Sequence, residues 1–167
     1  EAYQLFPLTP EQIDVVIHPE SIIHSMVEYK DGSVLSQMGP SDMTLPIAYA
    51  LAWPQRITTP CARLNLAQIG ALHFEEPDTQ RFPALRLARE VLEARGITPI
   101  VFNAANEVAV EEFLQGNIAF LDIVRIIETT LHKITGEYFT NNTLEDILAV
   151  DEWARRQARA VIKAMKL

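Results

Sequence analysis

"IHPESIIHSMVEYKDGSVLSQMG", Ile17 to Gly39, is the stretch that decides the fold of the front of this 167-residue chain. Ile23, Ser25, Val27 and Tyr29 alternate with Ile22, His24, Met26 and Glu28. In an extended strand these two sets point to opposite faces. Asp31-Gly32 supplies a turn and Ser33 to Met38 returns, so the stretch predicts a β-hairpin. It also concentrates reactive groups: His18, Glu20, Ser21 and His24 lie within seven positions. They could form a reaction centre or part of the wall of one.

Upstream, "IDVVIHP" reads as a short buried strand over Ile13 to Ile17, ended by Pro19. The opening "EAYQLFP" has no initiator methionine and no Ser, Thr, Asp or Asn to cap a helix. Leu5 and Phe6 read as the last apolar turn of a helix stopped by Pro7. So short a helix does not hold by itself, and the expectation is a chain that starts inside a helix. Downstream, Gly39-Pro40 makes a turn, Pro46 suits a first helical turn, and Ile47 to Trp53 gives two turns before Pro54. Residues 55 to 70 read as irregular, and Leu72 to Glu75 as an edge strand.

From Pro83 the period changes from two to 3.6. Ala84, Leu87, Ala88 and Val91 form one apolar stripe, ended by Gly96. Ala105, Val108, Ala109 and Phe113 form a second, ended near Gly116. Phe120, Ile123, Val124, Ile127, Leu131 and Ile134 form a third, ended near Gly136. Thr143 with Asp146 resembles a capping box for a short helix, and Asp151 is read as the cap of a last one with Ala154, Ala158, Val161, Ile162 and Met165 inward. Short connections point to a helical bundle. The predicted fold class is α+β, with a strand-containing segment over residues 1–80 and a helical bundle over residues 81–167.

Hydrophobic residues make up 49% of the chain and charged residues 22%, the balance of a folded protein. No apolar run approaches the roughly 20 residues of a membrane span, and no signal peptide is visible. The net charge of −8 repels phosphate backbones and argues against general nucleic-acid binding. The acid is concentrated in front: 3 Lys/Arg against 10 Asp/Glu up to residue 80, then 11 against 12. The basic run Arg155, Arg156, Arg159, Lys163 and Lys166 reads as a solvated helix face. Cys61 is the only cysteine, which fits a reducing compartment and excludes a disulfide scaffold or a Cys-rich zinc site; it is read as a small hydrophobe. Asn141 in "NNT" matches a glycosylation sequon, taken as chance without a secretory signal.

A zinc centre needs several ligands aimed at one point. His18, Glu20 and His24 are the right types, but the two histidines lie six apart across a turn, not four apart on a helix as in H-E-x-x-H. A self-contained metal hydrolase is one alternative, and a structural or pocket-wall role is the preferred reading. A triad built on Ser21 and His24 lacks the G-x-S-x-G elbow. No glycine-rich nucleotide loop occurs. Asn103, Asn106 and Glu107 share helical spacing and could orient a neighbouring helix or reach a pocket, with packing and capping roles the preferred reading. Trp53 and Trp153 read as core or interface anchors.

The run from Ile17 to Arg56, then "FPALRLA" (Phe82–Ala88), "NAANEVAV" (Asn103–Val110) and the basic terminal helix, resembles the C-terminal part of the 1-deoxy-D-xylulose 5-phosphate reductoisomerases. The likeness runs from Glu1 to the end, in order. "GPSDM" keeps the family's glycine, aspartate and methionine at Gly39, Asp42 and Met43 and moves its proline one place. The resemblance implies an enzyme with an N-terminal NADPH domain, a central domain that holds Mg²⁺ or Mn²⁺ and substrate and forms a homodimer, and a C-terminal helical domain. It implies rearrangement of 1-deoxy-D-xylulose 5-phosphate and reduction with NADPH to 2-C-methyl-D-erythritol 4-phosphate, a step of non-mevalonate isoprenoid synthesis.

Carried over residue by residue, the resemblance puts the catalytic, metal and NADPH-binding residues upstream of this chain. Glu1 matches an acid just after the last metal glutamate, not the ligand itself. Ser21, His24 and Met43 match residues that approach the substrate pocket. The chain alone is expected to be inactive and to bind neither metal nor NADPH tightly. Its expected partners are the N-terminal half of the enzyme, the substrate and a second copy, with no nucleic acid or membrane. A bacterial cytoplasm is expected, or a plastid for a eukaryotic source. The alternative from another class is an interaction module that keeps dimerisation and helical packing without catalysis.

Overall fold

The computed structural model describes residues 2–134 and 143–165. It divides into two compact units: residues 14–77, and residues 1–13 together with 78–167. The α+β class is observed. The elements in order are α1 (Ala2–Leu5), β1 (Ile23–Glu28), β2 (Val34–Met38), α2 (Thr44–Ala52), α3 (Leu66–Ile69), α4 (Ala84–Ala94), α5 (Thr98–Leu114), α6 (Asp122–Leu131) and α7 (Leu144–Met165), with a 3₁₀ turn at Pro10–Gln12.

The core belongs to the helical unit. Every buried Ala, Val, Leu and Ile among the described residues lies between Leu87 and Ile162. α5 is the central helix and packs against α4, α6 and α7. Ala105, Val108 and Ala109 of α5 meet Ile123, Ile126 and Ile127 of α6 and Ala158, Val161 and Ile162 of α7. Val101 and Ala104 meet Val150 and Ala154, with Trp153 packed alongside. The alanines at this seam let the α5 and α7 backbones approach, since interaxial distance is set by the side chains at the contact. Thr130, wholly buried in this core, donates to the Ile126 carbonyl at 2.7 Å and so is satisfied.

Ion pairs trim the surface of this bundle. Arg155 joins α7 to α5 by bonding Glu107 at 2.6 Å and Asp151 at 2.7 Å, and Asn103 donates to Glu107 at 3.0 Å. Of the polar groups of "NAANE", Glu107 reaches a neighbouring helix and Asn103 bonds Glu107 within α5. Arg155, chiefly through its bonds to Asp151, is held still more firmly charged. Arg89 of α4 donates to the carbonyls of Pro10 and Ile13 at 3.2 and 2.7 Å, tying the 3₁₀ turn to the helical unit.

The front unit contains the hairpin. β1 and β2 pair antiparallel, with Val27 opposite Leu35 and Met26 opposite Ser36, and an irregularity between Ile23 and Ser25. Tyr29 and Ser33 close a three-residue loop, Gly32 stands at φ 82°, and Asp31 Oδ1 accepts from the Ser33 amide and hydroxyl. This is the three-residue turn whose last position requires a left-handed residue, so Asp31-Gly32 does supply the turn.

Several expectations are corrected. The buried strand over Ile13 to Ile17 is instead extended chain with one bridge, Ile17 to Glu75, and Val15, Val16 and Ile17 are exposed. The strand over Leu72 to Glu75 reduces to the same bridge, because no further strand among the described residues pairs with it. Residues 55 to 70 contain the short α3, capped by Asn65 accepting from the Gln68 amide. Helix α2 starts three residues before Ile47, at Thr44. The last two helices are one, α7: Thr143 and Asp146 cap it, while Asp151 sits within it and pairs with Arg155. On α6, Ile126 and Thr130 are buried and Phe120 is 60% exposed, so the inward face is rotated from the predicted stripe. Trp53 is 68% exposed and lies edge-on to Tyr49, whose ring carries the Arg56 guanidinium. The predicted helix end near Gly136, the Asn141 sequon, Glu1 and Lys166 fall outside the described residues.

Ile126 is wholly buried, and truncation leaves a cavity that the bundle cannot fill by relaxing. Ile126→Ala should lower stability by about 2–5 kcal/mol in chemical denaturation. Leu114→Ala, at a 77% exposed position, should stay within about 0.5 kcal/mol.

Candidate functional site

The reactive residues of the opening stretch separate in space into two groups. His18 and Glu20 are joined by a residue distant in sequence, His73. The His18 Nδ1–H donates to the His73 carbonyl at 2.7 Å and lies 3.1 Å from Glu20 Oε2. Both neighbours are acceptors, which assigns the proton to Nδ1. The His73 backbone amide donates to Glu20 Oε2 at 3.2 Å, and the His73 ring nitrogen Nδ1 donates to Glu20 Oε1. The His18 ring stacks on Phe74, with centroids 4.7 Å apart. Its side chain is 6% exposed, and Nε2 is buried without a hydrogen-bond partner.

The Ile17–Glu75 bridge puts the two segments side by side, its amides and carbonyls exchanging bonds at 2.9 Å. Glu20 thus stitches the turn His18–Ser21 onto the segment 73–75. The hydrogen bond from His73 holds the Glu20 carboxyl well below the usual carboxylate range, at about 2, against a smaller opposing effect of burial.

His24 belongs to the second group. Its Nε2 bonds the Gly39 carbonyl at 3.1 Å, and the Gly39 amide donates to Ile22 at 2.9 Å. These two bonds fix the mouth of the hairpin to the loop 39–43. Gly39 is buried, and a Cβ there would meet Gln37 at 3.4 Å and Leu45 at 3.5 Å. Asp42 accepts from the Thr44 amide at 2.8 Å and from the Cys61 thiol at 3.4 Å, and the Thr44 bonds hold its carboxyl below the ordinary value. Met43 follows on this braced loop, 69% exposed. Ser21 is exposed and has φ 49°, an unusual angle for a residue with a side chain.

An open cleft of about 470 Å³ lies beside the same loop, lined by Gly39, Pro40, Leu45, Arg56, Cys61 and Arg63 among others. Ser21, His24 and Met43 do not line it. Sequence reasoning missed His73. Its only signal was membership of the segment "ALHFEEP", which carries no hint of a partner 53 residues away.

The three residues whose types suggested a metal centre do not come together. His18, Glu20 and His24 do not converge, because the His24 ring is on the Gly39 carbonyl. No three His, Cys, Asp or Glu among the described residues group to hold an ion.

One unit with a hairpin and polar-braced loops and another built of helices define the class: an α+β segment whose loops are held by local bonds and whose buried core, among the described residues, is helical. The family model described as "DXP reductoisomerase C-terminal domain" matches residues 38–157, and the chain belongs to that family. The 1-deoxy-D-xylulose 5-phosphate reductoisomerase of Chlorobium chlorochromatii is 53% identical over 162 residues, covering 97% of this chain and 42% of the relative. A solved reductoisomerase from Zymomonas mobilis in complex with NADPH is 48% identical, with TM-score 0.85 over 96% of this chain and 42% of that one. Another, solved with NADPH, fosmidomycin and magnesium, is 44% identical, with TM-score 0.91 over 99% of this chain and 42% of that one. The chain therefore spans about two fifths of the length of the relatives it matches.

The Glu20 arrangement has a defined pH signature. A carboxyl whose folded pKa is depressed contributes stability that is complete above its ordinary value of 4.5 and is lost as pH falls toward about 2. The stability gap between the parent protein and Glu20→Gln should be constant near neutrality and should narrow from about pH 5 to about pH 2 in denaturant titrations. A gap that does not narrow contradicts the pairing.

Proposed function

We propose that this chain is the C-terminal portion of a 1-deoxy-D-xylulose 5-phosphate reductoisomerase. In that enzyme it contributes the rear of the catalytic and dimerisation domain, over residues 1–80, and the C-terminal helical domain, over residues 81–167. The reaction is the rearrangement of 1-deoxy-D-xylulose 5-phosphate and its NADPH-dependent reduction to 2-C-methyl-D-erythritol 4-phosphate, with Mg²⁺ or Mn²⁺, in isoprenoid synthesis. The carrying observation is the match over 99% of the chain to a reductoisomerase solved with NADPH, fosmidomycin and magnesium.

In this reading the metal ligands, the phosphate-binding residues and the NADPH fold are on the remaining portion of the enzyme. That reading agrees with the donor chemistry here, where the ring nitrogens and carboxylates nearest one another are engaged in bracing the backbone. No step of the reaction is assigned to this chain's own side chains.

Ser21, His24 and Met43 serve the pocket from outside the reacting atoms. The His24 ring fixes the Gly39 carbonyl, and through it the loop that leads to Met43. Met43 offers a flexible apolar thioether to a bound ligand, and Ser21 offers a hydroxyl that can donate or accept. A second copy of the enzyme is the proposed partner of the exposed hairpin. No helix among the described residues is long and apolar enough to cross a membrane, and the proposed setting is the bacterial cytoplasm or a plastid.

The complete protein should oxidise NADPH when given 1-deoxy-D-xylulose 5-phosphate and Mg²⁺, while the 167-residue chain alone should not. Steady-state absorbance of NADPH reads both. Turnover by the isolated chain overturns this reading.

A further inference from the structure

Ser21 has a backbone angle that needs an explanation. Its φ is 49°, in the left-handed region where a Cβ crowds the following carbonyl. Such residues persist only where their surroundings over-determine them. No glycine or asparagine relieves the cost here, since the turn reads His18-Pro19-Glu20-Ser21.

The surroundings that fix it are on the page. The Ser21 amide donates to the His18 carbonyl at 3.0 Å, closing the turn. Pro19 restricts one inner position of that turn. Glu20, the residue immediately before Ser21, is held at both carboxylate oxygens: by the His73 amide and by the His73 and His18 rings. His18, at the start of the turn, is pinned by its own bond to the His73 carbonyl and by the Phe74 ring. His18 and Glu20, the first and third residues of the turn, are thus anchored to the segment His73 to Phe74. Three titratable side chains that could have made a reaction centre are used up in holding one backbone conformation.

We infer that Glu20, with His73 and His18, is a positioning clamp that fixes Ser21 in the left-handed region and so presents its hydroxyl to the oxygens of a sugar-phosphate substrate. The substrate half of this inference rests on the reductoisomerase reading; the clamp itself does not. Glu20 is not a catalytic residue: it acts through Ser21. Removing it lets the turn relax to an ordinary φ, which re-aims the hydroxyl without altering the reacting groups. The loss falls on binding and not on the chemical step.

The test uses the complete enzyme carrying Glu20→Ala, Ser21→Ala and both changes. Hydrogen exchange read on peptides spanning residues 17–24 reports the clamp, and steady-state kinetics report its use. Glu20→Ala should speed exchange of the Ser21 amide and raise KM for 1-deoxy-D-xylulose 5-phosphate about tenfold. It should leave kcat and the KM for NADPH within about twofold. The double variant should have the KM of Ser21→Ala alone, because residues that act through one another are not additive. Unchanged exchange overturns the clamp. Faster exchange with unchanged KM, a fall in kcat instead of a rise in KM, or additive effects in the double variant overturns positioning through Ser21. A parent enzyme that is folded but does not turn over this substrate refutes the reductoisomerase reading and, with it, the substrate half; the exchange result then still decides the clamp.

Discussion

Burial of apolar surface is the constraint on which this structure turns, and it is met very unequally. In the helical unit, α5 is enclosed by three helices, and its alanines and valines are at most 2% exposed where they meet α6 and α7. In residues 14–77 no apolar side chain larger than glycine is buried, and Val27, Leu35, Leu51 and Trp53 are all more than half exposed. A lone two-stranded hairpin is at best marginal in water, and exposed apolar patches of this kind mark surfaces that another body covers. That is the expected condition of a segment that is two fifths of its relatives' length. The reductoisomerase reading names what covers it: the rest of the enzyme and a second copy.

Without a core, the front unit holds its loops with carboxylates. Asp31 accepts from Ser33, Asp42 from Thr44, and Glu20 from His73. Each satisfies backbone donors at a turn or helix start, as short acidic side chains do well. These braces use three of the acids that lie before residue 80. The carboxylates there serve as local braces, and Asp31, Asp42 and Glu20 are all held below their ordinary pKa by the hydrogen bonds they accept.

What was legible in the sequence was local and periodic. The hairpin is written in alternation with an Asp-Gly turn, and α4 and α5 in apolar residues at helical spacing closed by Gly96 and Gly116. Several misreadings turn on a partner far away in sequence, and one turns on a near one. An aspartate that caps a helix and one that pairs with Arg four residues on look alike, so Asp151 was read as a start when it is mid-helix. The apolar run Ile13 to Ile17 looks like a buried strand whether or not neighbours cover it. His18 and Glu20 looked like chemistry because His73, which occupies them, is more than fifty residues downstream. Ser21, His24 and Met43 were chosen by resemblance; the geometry adds that His24 holds a loop and that Ser21 is held in an unusual conformation.

The claim that the front unit is completed from outside the chain is tested most directly by amide hydrogen exchange on the isolated 167-residue chain and on the complete protein. The account predicts strong protection of α5, α6 and α7 in both, and protection of β1 and β2 only in the complete protein. Equal protection of β1 and β2 in the two samples would contradict it.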